Sequence, residues 1–94
     1  MFYVYILQSI KEGNLYIGYS ADLKQRLKEH NQGHVRSTKP YYPWKLIYYE
    51  ACLNQKDATR REQYLKTGQG QRLIKRRIKE YLYSQKVVKN SLRG

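Results

Sequence analysis

The stretch FYVYILQSIKEGNLYIGY, residues 2–19, decides the fold. Phe2 to Ser9 mix aromatic and β-branched side chains, the composition of a half-buried or buried strand. Lys11-Glu12-Gly13-Asn14 supplies a turn, and Leu15 to Tyr19 form a second short strand. On that strand Leu15, Ile17 and Tyr19 alternate with Tyr16 and Gly18, so the two sets face opposite sides of a sheet. A short turn between two such runs predicts an antiparallel hairpin.

Outward from the hairpin, Ser20 is a good N-cap and Asp22 adds negative charge to a first helical turn. A helix is predicted over 21–31, stopped at Asn31-Gln32-Gly33. Residues 33–44 carry two prolines and a glycine and read as an ordered loop. Strand composition returns over 45–52 (KLIYYEAC). Asn54 caps a second predicted helix over about 55–67, ending at Gly68-Gln69-Gly70, and a third spans about 71–84. The order β-β-α-β-α-α gives an α+β domain: a small, mainly antiparallel three-stranded sheet flanked by helices. One domain is expected over 1–84, followed by a basic, frayed tail over 85–94.

With 94 residues the chain has room for one compact domain. Nineteen Lys and Arg against seven Asp and Glu give a formal net charge of +12. That density repels itself unless a polyanion neutralises it, and nucleic acid is the partner it points to. No segment approaches the roughly 20 apolar residues of a spanning helix, so a membrane is not expected. Cys52, the one cysteine, excludes an internal disulfide and a Cys-based zinc site, and reads as a small core residue. The N-terminus reads as a strand and not a signal peptide, which implies a cytoplasmic protein. Eleven tyrosines, each with a hydroxyl that wants a partner, suggest that some face a polar site.

Helical geometry selects further candidates. Leu23 and Leu27 define the inward face of the first helix, and His30 falls within about 20° of Leu23. Arg26 and His30 are an i, i+4 pair, so the two side chains are neighbours on the core-facing edge. An arginine there can present its fork to a phosphate. A histidine near a helix end equally serves as a partner for the helix dipole. On the second helix Ala58, Glu62, Leu65 and Gln69 share a stripe. Glu62 is therefore either the partner of Arg61 or Arg26, or a ligand for a hard divalent cation. Tyr5 and Tyr16 are strand tyrosines; Tyr16 adjoins Gly18, where a missing side chain permits close approach. For contacts to nucleic acid the candidates are Lys24, Arg36, Lys39, Arg72, Lys75, Arg76 and Lys79. Tyr41-Tyr42-Pro43-Trp44 either stacks on unpaired bases or packs over the sheet.

Tyr3-Val4-Tyr5, Tyr16-Ile17-Gly18, Asp22-Leu23, Arg26 and His30 together resemble the signature of GIY-YIG nucleases. Arg61-Glu62-Gln63-Tyr64-Leu65-Lys66 is similar to the segment that carries this family's metal-binding glutamate. Tyr64 to Gly68 further resembles the small stand-alone bacterial members, which are similar to the nuclease domain of the UvrC repair protein. The resemblance implies a GIY-YIG fold and a metal-dependent endonuclease that hydrolyses DNA phosphodiester bonds, with structured or damaged DNA in repair as the expected substrate. By that likeness Tyr5 and Tyr16 position or deprotonate the attacking water, with His30 as an alternative base. Arg26 holds the scissile phosphate, and Glu62 binds Mg²⁺ or Mn²⁺. The first motif reads Tyr-Val-Tyr instead of Gly-Ile-Tyr, and no asparagine stands at Gln71 to Lys75, where many family nucleases place one. The alternative is a nucleic-acid-binding module on the same fold with little or no activity.

Overall fold

The structure, a computed structural model, describes residues 1–85. Strands β1 (Phe2–Ser9) and β2 (Leu15–Ser20) are followed by helix α1 (Leu23–Asn31) and a 3-10 turn at Lys39–Tyr41. Strand β3 (Trp44–Cys52), helix α2 (Gln55–Leu65) and helix α3 (Gly68–Arg77) complete the order. Residues 79–85 are again helical. The chain forms two compact units, residues 1–63 and a second beginning at Tyr64. The expected tail lies, from residue 86 on, outside the described residues.

The sheet is antiparallel throughout, in the order β2-β1-β3. β1 takes the centre because it alone is buried along most of its length: Val4 to Ser9 are all buried, as suits a strand covered on both faces. Tyr5 stands opposite Gly18, and Leu7 opposite Tyr16, so these side chains share one face. Tyr5, Leu7 and Trp44 form the core there, with Tyr16, Leu23, Leu27 and Leu46 packed against it. Val4 and Ile6 point to the other face, beside Ile17. On that face Arg61 of α2 grips Glu50 of β3 with two hydrogen bonds of 3.0 and 3.1 Å. A register shift opposite Ile6 and Leu7 marks a bulge in β3. Cys52 is a free thiol at the end of β3 and only half-buried, so it is not the core residue expected.

The caps differ from expectation in an instructive way. Asp22, not Ser20, caps α1, accepting from the Gln25 backbone at 3.1 Å. Ser20 instead closes the approach, its hydroxyl accepting from Asp22 N–H and donating to Asp22 C=O. The helix ends as anticipated: Gly33 adopts φ 75, its N–H reaching His30 C=O while His34 N–H reaches Glu29 C=O. Asn31 then acts as a clamp. Its side chain donates to Trp44 C=O at 3.0 Å and accepts from Trp44 N–H at 2.5 Å, so the amide mimics a strand partner where β3 begins.

In the second unit Gly68 and Gly70 do not break the chain; they lie in the first turn of α3. A Cβ at Gly70 would run into Tyr64 C=O and the Leu65 backbone. The glycine is there for that close approach, not for flexibility. Thr67 caps α3 by accepting from Gly70 N–H at 3.1 Å while donating to Tyr64 C=O at 2.6 Å. α3 breaks at Ile78, so the single long third helix expected is instead two segments.

Replacing Asn31 by Ala leaves Trp44 N–H and C=O without this partner, which should cost about 1–3 kcal/mol. The check is urea unfolding: a lower midpoint with an unchanged slope is expected.

Candidate active site

Tyr5, Tyr16, Arg26 and His30 gather on the sheet face that α1 covers. The Tyr5 and Tyr16 rings lie 6.4 Å apart, and the His30 ring stands edge-on to both, at 5.8 and 5.1 Å. Gly18 makes room for this group. A Cβ at Gly18 would lie 2.8 Å from Tyr5 Cε2 and closer still to Cζ and the hydroxyl. The glycine of the second motif therefore has a packing cause: the Tyr5 ring occupies the space of its missing side chain.

His30 is fully buried, and both ring nitrogens are engaged. Nε2 lies 2.9 Å from the Tyr5 hydroxyl, and Nδ1 lies 2.7 Å from Thr38 Oγ1. Thr38 donates its own hydroxyl proton to Val35 C=O at 3.3 Å, leaving its oxygen as an acceptor towards His30. Nδ1 therefore carries the ring proton, and Nε2 accepts from the Tyr5 hydroxyl. Burial pushes the His30 pKa down to about 4, with the positive charge of Arg26 acting the same way and Glu29 opposing. The ring is thus neutral near pH 7, and it cannot serve as a charged partner for the helix dipole. Burial pushes the Tyr5 phenol up to about 12, against the hydrogen bond and charge of Arg26; Tyr16 and Glu62 add to the rise. At rest, then, Tyr5 is a neutral donor, His30 a neutral acceptor, and Thr38 the anchor that sets the tautomer.

The four groups differ in access to solvent. Tyr5 is 1% exposed and His30 not at all, whereas Tyr16 is half-buried. Arg26 keeps 38% of its side chain exposed and pairs with Glu29 at 3.2 Å. Burial alone would lower the Arg26 pKa, but hydrogen bonds to Tyr5 and Glu29 hold it above its usual value. Its charge is therefore permanent, and its fork is aligned by a partner on each side.

Glu62 is half-buried on α2, and its charge acts on Tyr5. Among the described residues no group of three or more His, Cys, Asp or Glu is placed to hold a metal ion. A single carboxylate whose charge reaches the Tyr5 phenol suits a hard ion such as Mg²⁺, which takes one or two carboxylates and completes its shell with water and phosphate. The residues present fit such an ion.

Of the candidate contacts to nucleic acid, Lys24, Arg36 and Lys39 are exposed on the first unit, and Arg72, Lys75, Arg76 and Lys79 on the second. Trp44 is 3% exposed and donates Nε1–H to Thr38 C=O at 3.0 Å, so it packs and does not stack on bases. Sequence reasoning missed Thr38 and Asn31. Both act through contacts made across the loop 32–43; Asn31 does continue the Leu23, Leu27 stripe at i+4, whereas Thr38 belongs to no periodic pattern.

Residues 1–75 match the family described as the GIY-YIG catalytic domain. The chain is 42% identical over 67 residues to a UPF0213 protein of Clostridium perfringens, covering 70% of this chain and 71% of that one. A UPF0213 protein of Staphylococcus saprophyticus is 36% identical over 74 residues, 78% of this chain and 89% of the other. The solution NMR structure of a UPF0213 protein from Bacillus halodurans is 35% identical, with a TM-score of 0.43 over 92% of this chain and 86% of that one.

An unfolded chain protonates His30 below about pH 6.5, the folded one only below about 4. The unfolded state then binds the extra proton between these values, so stability is full above about pH 6.5 and falls towards pH 4, by up to about 3 kcal/mol. Urea midpoints of wild type and His30→Gln across that window provide the check. The variant should lose less stability, since the carboxylates titrate in both; equal losses would mean that His30 titrates normally.

Proposed function

The chain belongs to the GIY-YIG catalytic-domain family, whose members are nucleases, and from that premise we propose that it is a metal-dependent endonuclease hydrolysing DNA phosphodiester bonds. The observation that carries this reading is the convergence of Tyr5, Tyr16, Arg26 and His30 on one sheet face within reach of the Glu62 charge. A module that only binds phosphate gains nothing from a carboxylate beside it, and a structural domain does not explain a net charge of +12.

The roles follow from access and protonation. Tyr16 keeps solvent contact, so it is the tyrosine that meets the attacking water. Tyr5 is shielded and holds its proton, so it orients Arg26 and Tyr16 from behind. Both nitrogens of His30 are taken, which makes it a positioning residue for Tyr5 instead of a base in direct contact with water. Arg26 grips the scissile phosphate and offsets the charge that develops on it. Glu62 is the residue that would hold Mg²⁺ or Mn²⁺. The ion, when bound, supplies polarisation of the phosphate and stabilises the leaving oxygen. One feature favours the weaker alternative, a binder that cuts slowly: no asparagine stands over Gln71 to Lys75, and the Gln71 amide donates to Leu65 C=O.

The test is cleavage of branched, single-stranded and duplex DNA with and without Mg²⁺ or Mn²⁺, comparing wild type with Glu62→Ala. Cutting by wild type only with metal, and binding without cutting by the variant, are expected. Binding by both with no cleavage of any substrate would leave the binding module. Arg26→Ala should lower the cleavage rate by about 10²–10³-fold, the usual loss on removing one donor to a developing oxyanion.

A further inference from the structure

The second unit contains a cleft of its own. It measures about 590 Å³ and is lined by Tyr64, Gln69, Arg72, Lys75 and Arg76. That volume lies within the roughly 300–1,000 Å³ of clefts that take small ligands. Gln69, Arg72 and Arg76 recur at the three- and four-residue spacing that puts side chains on one face of α3. Tyr64 comes from the last turn of α2 and keeps 36% of its surface exposed. The turn over residues 64–71 within this unit is tightly held. Thr67 bonds to both sides of it, Gln71 Nε2–H donates to Leu65 C=O at 3.0 Å, and Gly70 admits the Tyr64 and Leu65 backbone. The wall that presents Tyr64 is therefore set by backbone bonds.

The lining contains three cations and no acid. Cations alone would suffice to follow a duplex backbone and would need no recess. A recess that adds a tyrosine ring and a primary amide matches a base together with its phosphates: the ring offers a stacking surface and the amide both a donor and an acceptor. Tyr64 apart, no aliphatic or aromatic residue lines the cleft, which suits a lipid tail or a partner helix poorly.

We propose that this cleft is a single-strand subsite that takes one unpaired nucleotide. The base lies against the Tyr64 ring, Gln69 contacts its edge, and Arg72, Lys75 and Arg76 hold the flanking phosphates. It follows that the preferred substrate carries an unpaired strand, as at a flap, a gap or a melted end. The proposal rests on the nuclease reading only in taking nucleic acid as the ligand.

The experiment measures fluorescence-anisotropy binding of oligo-dT and of a blunt duplex of equal length, in EDTA, so that cleavage plays no part. Tyr64→Ala should weaken oligo-dT binding by about 5- to 100-fold, the loss expected for one stacked base, and change duplex binding by less than about 2-fold. Tyr64→Phe should retain the wild-type affinity. Arg76→Ala should weaken both ligands and reduce the steepness of the salt dependence. Photocrosslinking of wild type to 5-iodouracil-substituted oligo-dT adds a readout that needs no variant, and the linked peptide should contain Tyr64. Unchanged oligo-dT binding by folded Tyr64→Ala, equal weakening of both ligands by that variant, or a crosslink confined to the first unit would overturn the proposal.

Discussion

The hydrogen bond between the Tyr5 hydroxyl and His30 Nε2 is the constraint on which the site depends. It joins the central strand to α1 inside the core, where an unpaired hydroxyl or imidazole nitrogen would carry the full cost of desolvation. Tyr5 can reach His30 only because Gly18 leaves its ring room, and His30 can accept only because Thr38 holds the ring proton on the far nitrogen. Thr38 is held in turn by Trp44 Nε1, and Trp44 by the Asn31 clamp. A chain of polar contacts therefore runs from β1 through α1 and the loop to β3, and among the described residues no buried side-chain nitrogen or oxygen lacks a partner. Networks of this kind rigidify a site when every member is satisfied.

That network explains a division of labour. The buried pair, Tyr5 and His30, keeps its protons still at neutral pH because burial raises one pKa and lowers the other. The half-buried pair, Tyr16 and Arg26, faces outward. Rigid groups behind and accessible groups in front are what preorganised catalysis requires, because hydrogen bonds aimed at developing charge act best when they need not reorganise. The positive charge elsewhere has another purpose. Lys24, Arg36 and Lys39, and the cations of α3, are exposed and suit the polyanion that the proposed function requires.

Much of this was legible in the residues. The hairpin, the antiparallel sheet and the inward position of His30 follow from alternation and helical periodicity, which depend on neighbours a few residues apart. Arg26 beside His30 followed from the same spacing. What could not be read are contacts that close over long separations. Thr38 fixes the tautomer of a histidine eight residues away across an irregular loop. Asn31 was read only as a helix stop, yet its amide pairs with a strand thirteen residues on. Gly68 and Gly70 were misread for a related reason. Glycine marks both the end of a helix and a place where two backbones touch, and only the neighbour at Tyr64 and Leu65 tells them apart. Trp44 shows the limit of composition: aromatic residues in a loop suit stacking on bases or packing in a core, and here its burial decides.

The most direct test of the central claim is the ¹⁵N NMR signature of the His30 imidazole, followed through long-range proton–nitrogen couplings from about pH 5 to 8. The hydrogen-bond chain predicts one neutral tautomer across the whole range, with the proton on Nδ1 and Nε2 as a hydrogen-bonded acceptor. A proton on Nε2, or a ring that takes up a second proton near its ordinary pKa of about 6.5, would contradict it. Tyr5 would then not be the donor, and the order of roles assigned to the site would fail with it.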